Sequence, residues 1–379
     1  MLPTGITLTV RLGEKKTDPA PRLIVDAIQS VEVTHRDEGR SGFQIVLQVG
    51  RLGPADLKNY QLLKHPLLTP GHRVILIVTL NAKAYLLIDG IITHQQFSPS
   101  MEPGASSFTI TGEDVSVMMD RAEKPAQHPK QDEQRIVEQL LKNYSDYGVQ
   151  PQVEKPPLSA PSEQDRIPMK QGTDLGQIQF LAQRNGFVFY ITPGPGLEKN
   201  TAYWGPPKKP REKAQKALTA NMGSYTNLDS ISFQHNALSP TKVVGRLQDR
   251  QSNRIEDFTI ADSDRPHLSA NPSIQNKTCV KQTFFEQTGH TLTEARSRAQ
   301  AMTNKSVDAA VTATGEVDTV RYGALLQIRQ LVGLRGLGYS YDGHYYVKQV
   351  THKLRKGEYK QSFTLTREGI TSTVDRLPV

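Results

Sequence analysis

A chain of 379 residues has room for two or three domains and for a core that needs no covalent staples. Its single cysteine, Cys279, excludes a disulfide framework within the chain. No apolar run approaches the ~18 residues of a membrane-spanning helix, and the absence of a charged-then-apolar leader points to cytosolic synthesis. The net charge is +8, with local excesses at Lys208–Lys216 and from Val320 to Val379, where ten Arg and Lys face four Asp and Glu. For single residues this reads as solvated surface; for the C-terminal block it suits a face that meets an acidic partner. Mean hydropathy is −0.49, and 24 prolines and 28 glycines are spread along the chain, which suits many short strands with wide polar faces.

Residues 1–124 read as β. Strands are predicted at Ile6–Leu12, Ile28–His35, Gly42–Val49, Arg73–Leu80, Tyr85–Gln95 and Ser107–Glu113. Gly39, Gly53, Pro54, Pro70, Gly71, Pro99, Pro103 and Gly104 punctuate them. Asp114 is placed to cap a short helix reaching Asp120. Residues 125–206 change character. Asp132 can cap a helix from Glu133 to Tyr147, with Ile136, Val137, Leu140 and Leu141 on one face and Gly148 ending it. Pro151–Pro161 reads as extended. Thr173 or Asp174 caps a second helix that stops at Asn185-Gly186, followed by strands at Phe187–Thr192 and Thr201–Trp204.

From 207 to 379 the pattern returns to β. Strands are predicted at Tyr225–His235, Lys242–Leu247, Glu256–Ile260, Val280–Phe285, Ala309–Thr314, Ala324–Val332, Tyr345–Lys353 and Tyr359–Arg367. A helix over Glu294–Val307, capped by Thr291 or Thr293, interrupts them. The last two strands form a hairpin through Arg355-Lys356-Gly357-Glu358. The expected fold class is mainly β, α+β overall. Two β domains, 1–124 and 207–379, flank an α+β insert at 125–206, and the second carries a helical insertion near 291–307. No sequence repeat is visible, but the two β regions share short alternating strands and glycine turns, as structural duplicates would.

Three segments carry a family resemblance. Asp174–Ile191 (DLGQIQFLAQRNGFVFYI), with Tyr203-Trp204-Gly205-Pro206-Pro207 after it, looks like a helix–glycine–aromatic strand unit with an aromatic-G-P closing strand. Thr291–Met302 (TLTEARSRAQAM) is similar to a T-x-x-E-A-x-x-x-A helix. The third runs from Tyr341-Asp342-Gly343-His344-Tyr345-Tyr346-Val347 through Val350, His352 and Gly357-Glu358-Tyr359 to Phe363, Leu365 and Arg367. It is similar to a D-G-x-Y-x-V ending with a closing hairpin. Together these resemble the late control protein D family, the baseplate hubs of contractile phage tails, related to the hub part of VgrG spike proteins.

The resemblance implies two tube-like β-barrels per chain. Three chains in a homotrimer would then make a ring that fits a six-fold tail tube on one face and a three-fold spike on the other. Baseplate wedge or sheath-initiator proteins are further expected neighbours. The particle would assemble from protein made in the bacterial cytoplasm. No oligonucleotide-binding module or β-helical needle follows before Val379, so the spike is expected to be a separate polypeptide. The residues expected to hold core or interface are Trp204, Phe187, Phe189 and Tyr190 in the insert, and Asp342, Gly343, Tyr345, Val347, Phe363 and Leu365 in the last hairpin. Gly343 is expected at positive φ.

Catalysis finds no support in the sequence. There is no H-E-x-x-H, no cysteine pair and no G-x-S-x-G. Cys279 reads as a buried apolar residue within the strand-like run Lys277–Phe285; a nucleophile there would need His290 and Glu286 beside it. His35 reads as part of a loop cluster with Asp37 and Glu38, and His352 as a hydrogen-bonded strand residue. Gly333–Gly338 lacks phosphate-loop spacing and reads as a turn. The expectation is therefore no enzyme, no cofactor and no metal. The alternative is a basic β-barrel that stacks single-stranded nucleic acid on Tyr339, Tyr341, Tyr345 and Tyr346. A wall-binding module is suggested only by the helix and strand order of the insert.

Overall fold

The computed structural model describes residues 5–50, 60–102, 105–129, 131–156, 169–170, 172–208, 214–249, 252–286, 291–308 and 310–374. The first region contains β1 (Ile6–Gly13), β2 (Asp18–Pro19), α1 (Arg22–Ala27), β3 (Ile28–Arg36), β4 (Gly42–Val49), β5 (Arg73–Leu80), β6 (Lys83–Ser98) and β7 (Ser106–Asp114). The middle contains β8 (Ala126–Gln127), α2 (Glu133–Lys142), β9 (Val149–Val153), β10 (Met169–Lys170), α3 (Asp174–Asn185), β11 (Val188–Pro193) and β12 (Asn200–Gly205). The last region starts with β13 (Gln215–Thr219), β14 (Leu228–His235), β15 (Thr241–Gln248), β16 (Ile255–Ile260), β17 (Ser269–Pro272), β18 (Lys281–Phe284) and α4 (Leu292–Asp308). It ends with β19 (Val311–Asp318), α5 (Thr319–Tyr322), β20 (Leu331–Arg335), β21 (Gly343–Arg355), β22 (Glu358–Arg367) and β23 (Gly369–Ser372). The protein is mainly β with a few helices.

Local chemistry explains these elements. β7 alternates buried and half-buried residues along its whole length, as a strand with one face on a core must. The Asp132 carboxylate accepts from Arg135 N (2.8 Å) at the start of α2, and Thr173 Oγ1 accepts from Gly176 N (3.1 Å) at the start of α3. Gly186 ends α3 in the left-handed conformation, φ +67. At α4 Thr291 and Glu294 form a reciprocal box: Thr291 Oγ1 accepts from Glu294 N (3.3 Å), and Glu294 Oε2 from Thr291 N (2.9 Å).

Thirteen strands of the two outer regions form one sheet, while β16-β15-β18 and β17-β23 make small sheets of their own. In the first region the hydrogen-bonded order is β1-β5-β6-β7-β4-β3; in the last it is β13-β20-β21-β22-β19-β14. Ranked by position in the chain, both sets read first, fourth, fifth, sixth, third, second. They differ at one edge, where β1 meets β5 antiparallel and β13 meets β20 parallel. The bulges also coincide. The β6–β7 ladder skips Thr93 and the β21–β22 ladder skips Lys348; β3–β4 skips Gln29 and β14–β19 skips Asp229. The row Ile92–Gly112–Phe43–Val33 across one set therefore corresponds to Val347–Leu365–Ala313–Phe233 across the other. Each bulge on the second strand lies four residues before the end of its row, so the two bulges give the same correspondence.

The pairings do not close either set into a ring. β21 bonds β20 through its first residues and β3 through Gln349–Arg355, which fuses the two sets edge to edge. The sheet is branched and ends at β14, β13 and β2. One apolar core lies under each set, and a third fills the insert around Trp204, Ile178 and Leu141. Burying each Leu, Ile or Val side chain contributes about 1.5–3 kcal/mol.

The structure corrects several expectations. Of Ala324–Val332 only Leu331 and Val332 are in a strand, β20: α5 and an irregular segment precede it, and Gln361 Oε1 accepts from Leu326 N (2.8 Å), which takes that backbone out of a ladder. The helix expected to reach Tyr147 stops at Lys142, and a separate 3₁₀ turn carries Ser145–Tyr147 to Gly148. Tyr225 lies in a 3₁₀ turn before β14. Cys279 is half-buried in a turn, its N–H bonded to Asn276 O (2.9 Å), rather than in a buried strand. Gly53, Pro54, Pro103, Gly104, Pro161, Lys209, Arg211, Lys213, His290 and Ala309 lie outside the described residues.

Candidate assembly surfaces

The junction between β3 and β21 is the first functional feature. Thr34 Oγ1 and Thr351 Oγ1 meet at 3.0 Å across it. His35 and His352 pack edge to face with ring centroids 5.3 Å apart, and the Tyr359 hydroxyl shares a hydrogen bond with His352 Nδ1 (2.9 Å). His35 thus belongs to a strand, not to a loop cluster. Burial, then the Arg329 charge, pulls His35 down to about 4; burial, then His35, holds His352 well below the usual imidazole range. Both rings are neutral at pH 7.

Arg329 locks this junction. Its Nη2 donates to Arg36 O (2.7 Å) and its Nε to Asp37 O (3.1 Å), at the end of β3. The guanidinium lies 3.4 Å from the centroid of Tyr190 in the insert. Three regions of the chain therefore meet on one side chain. Arg329 adopts φ +62, an unfavourable conformation for a residue with a Cβ. Its counterpart in the first set is Gly71, φ +94. The backbone bonds match: Arg329 N to Val347 O and Val347 N to Gln330 O, against Gly71 N to Ile92 O and Ile92 N to His72 O.

Two buried ionic joints fix the insert. Arg73 donates from Nε and Nη2 to the two oxygens of Asp89 (2.7 and 2.6 Å), and from Nη1 to Lys15 O and Nη2 to Tyr147 O. Asn200 Nδ2 donates to the same Asp89 (2.9 Å). Glu198 of the insert accepts from the N–H and hydroxyl of Thr17 (2.7 and 2.8 Å). On the other side Arg184 of α3 bridges Glu133 of α2 (3.0 Å) and Glu294 of α4 (2.6 Å). Burial pushes the Glu133 carboxyl up, against the pull of Arg184. Buried charge clusters of this kind set relative position more than they add stability.

The ten residues expected at core or interface are placed as follows. Trp204 is fully buried, its Nε1 donating to Ile178 O (3.2 Å), with Phe187 edge-on at 4.8 Å. Phe189 is buried beside it, and Tyr190 is buried on the other side of β11, against Tyr203 and Arg329. Tyr345, Val347, Phe363 and Leu365 pack together in the core of the second set. The Asp342 carboxylate accepts from Leu337 N (2.8 Å) and Gly336 N (3.3 Å), shaping the glycine turn. Gly343 has φ +120, and a Cβ there would lie 2.9 Å from Ser372 Oγ and 3.0 Å from Arg367 Nη1. Phe187 and Asp342 are half-buried, and Tyr190 lines a crevice described below. Residues that reasoning from sequence missed are Arg329, Arg73 and Asp89. The last two carried a signal, since Arg73 heads an apolar strand and Asp89 interrupts the apolar run Leu86–Ile92.

The surface offers little chemistry. Among the described residues no group of three or more His, Cys, Asp or Glu comes together as a metal set. A crevice where the three regions meet is lined by Tyr190, Lys208, Arg265, Asp308, Arg329 and Tyr346, with Arg265 and Asp308 paired. Of the four tyrosines considered as a stacking platform, Tyr345 is in the core, Tyr341 packs on Phe233 at 4.5 Å, Tyr346 lines the crevice and Tyr339 alone is exposed. Part of the basic block is neutralised: Lys353 and Lys360 meet Glu316 at 2.9 and 3.3 Å, which holds that carboxyl below its usual range. No helix of the described residues is long and apolar enough to cross a membrane.

Solved structures give the decisive comparison. A tail protein from Neisseria meningitidis superposes with a TM-score of 0.66 at 14% identity, covering 97% of this chain and 98% of that one. The fold is that of a phage tail protein. The 43 kDa tail protein of prophage MuSo2 from Shewanella oneidensis gives 0.65 at 11% identity, covering 96% and 98%. A Francisella PdpA–VgrG complex gives 0.57 at 11% identity over 99% of this chain and 54% of that one. No family model and no curated relative matches the sequence.

Proposed function

We propose that this chain is a structural hub in the baseplate of a contractile tail or injection particle and not an enzyme. In this reading each six-stranded set acts as one tube-like β-barrel unit, within 1–124 and 207–379, and residues 125–206 form the insert between them. A homotrimer then presents six similar units in a ring. One face of that ring meets a six-fold tail tube, the other a separate three-fold spike protein, and wedge or sheath-initiator proteins approach from outside. The chain is made in the bacterial cytoplasm and assembled into the particle. The observation that carries the reading is the repeated strand order with coincident bulges, which turns three chains into six near-equivalent modules.

Light scattering at several concentrations tests it. The expected mass is three times the 42.2 kDa chain. A mass of one chain at every concentration, with the spike protein present, would overturn the proposal.

A further inference from the structure

The repeat makes the contact between chains legible residue by residue. Within the chain, the second-ranked strand of the first set, β3, bonds the free end of the fifth-ranked strand of the second set, β21. The reciprocal contact, β14 with the free end of β6, is absent: β14 ends the fused sheet in one set, and β6 lies within the other. Among the described residues β14 has β19 as its only ladder partner, and beyond Ile92 the strand β6 has only β7. Its residues His94–Ser98 are exposed, as are Asp229, Ser230, Ser232, Gln234 and His235 of β14. Open edges of this length attract another strand.

We infer that β14 of one copy pairs antiparallel with His94–Ser98 of β6 in the next copy, placing Phe97 opposite Phe233 and Gln96 opposite Gln234. This rests on the trimeric reading above. The register follows from the junction already present. His352 pairs with Val33 and lies five residues past Val347; Phe97 lies five past Ile92, the counterpart of Val347. Val33 corresponds to Phe233. The Thr351–Thr34 pair, whose hydroxyls meet at 3.0 Å, corresponds in the same way to Gln96 and Gln234. Phe97 is 36% exposed, with Tyr60 packed on its ring, so opposing it with Phe233 covers apolar surface on both copies. The contact joins two different surfaces. It closes into a ring when each chain advances by two units of six, as the β3–β21 junction does by one.

The test is a disulfide between copies. Directly opposed residues of an antiparallel pair have Cβ atoms ~4.5–5.5 Å apart, within or close to disulfide reach. In a Cys279→Ser background, Gln96→Cys with Gln234→Cys should give covalent dimers and trimers on mild oxidation. Gln96→Cys with Phe233→Cys, which puts the thiols on opposite faces of the sheet, should not. Phe97→Asp alone should weaken self-association more than tenfold while leaving the melting curve of the monomer cooperative. Trimers by light scattering without cross-linking of the Gln96/Gln234 variant would overturn the register and leave the hub reading standing. A single-chain mass for the unmodified protein at every concentration, with the spike protein present, would overturn both.

Discussion

The two outer regions share a strand order and two bulges, yet they are held in different ways. The first set buries an Arg73–Asp89 pair that reaches into the insert, and places Gly71 where the chain needs positive φ. The second set has Leu331 and His344 in the positions of that pair, and puts Arg329 where the first has glycine. Arg329 accepts backbone strain and in return clamps the end of β3 and the ring of Tyr190. Architecture repeated while chemistry diverged, because each copy has a different neighbour to fasten. The first set holds the insert through a buried ion pair; the second holds both the first set and the insert through Arg329.

The largest effect is expected where that difference is most buried. Arg73→Ala leaves Asp89 charged and enclosed, and should cost about 3–5 kcal/mol in urea unfolding. Arg73→Met with Asp89→Leu should recover most of the loss; no recovery would mean that the pair acts through its bonds to the insert. Next is Gly343→Val. Positive φ and the close approach of Ser372 and Arg367 predict a loss of about 2–3 kcal/mol, and an unchanged denaturation midpoint would refute that account.

A pair of variants at Arg329 separates strain from clamp. Arg329→Gly restores the residue type of the first set and should cost about 1–2 kcal/mol through the lost bonds. Arg329→Ala keeps the strained backbone and should cost about 1 kcal/mol more. Hydrogen exchange at the β3 and β21 amides should quicken in both; unchanged protection would show that the strands need no clamp.

The smallest effect is in pH. His35 and His352 are held neutral in the fold, so the unfolded chain binds more protons once pH falls below about 6.5. Their contribution is fully present above that pH and is lost on acidification, for His35 down to about 4, by up to ~1.4 kcal/mol per pH unit for each ring. Buried Asp114 and Glu133, both raised, act in the opposite sense. The histidine share is therefore read as the difference between the protein and a His35→Gln/His352→Gln variant over pH 4–7. Parallel profiles would remove these rings from the junction's pH response.

Much of the fold was legible. The hairpin β21–β22 showed in the alternation of Phe363, Leu365 and Arg367 and in Gly357, and α2, α3 and α4 showed in their caps. β20 and β13 were not. β20 is five residues with a glycine in the middle, and β13 packs through long-range partners that leave no periodic trace. Arg329 gave no signal either, since nothing in Gln327–Leu331 marks a left-handed turn.

By itself the sequence determined which segments extend, which coil into helices and where most of the turns fall, since side-chain alternation, caps and glycine act within a few residues. Only the tertiary structure decided that β3 joins β21 and that β14 and the end of β6 stay open. Every strand edge offers the same backbone donors and acceptors, so the choice of partner is settled by bulges, packing and the distant residues that reach across.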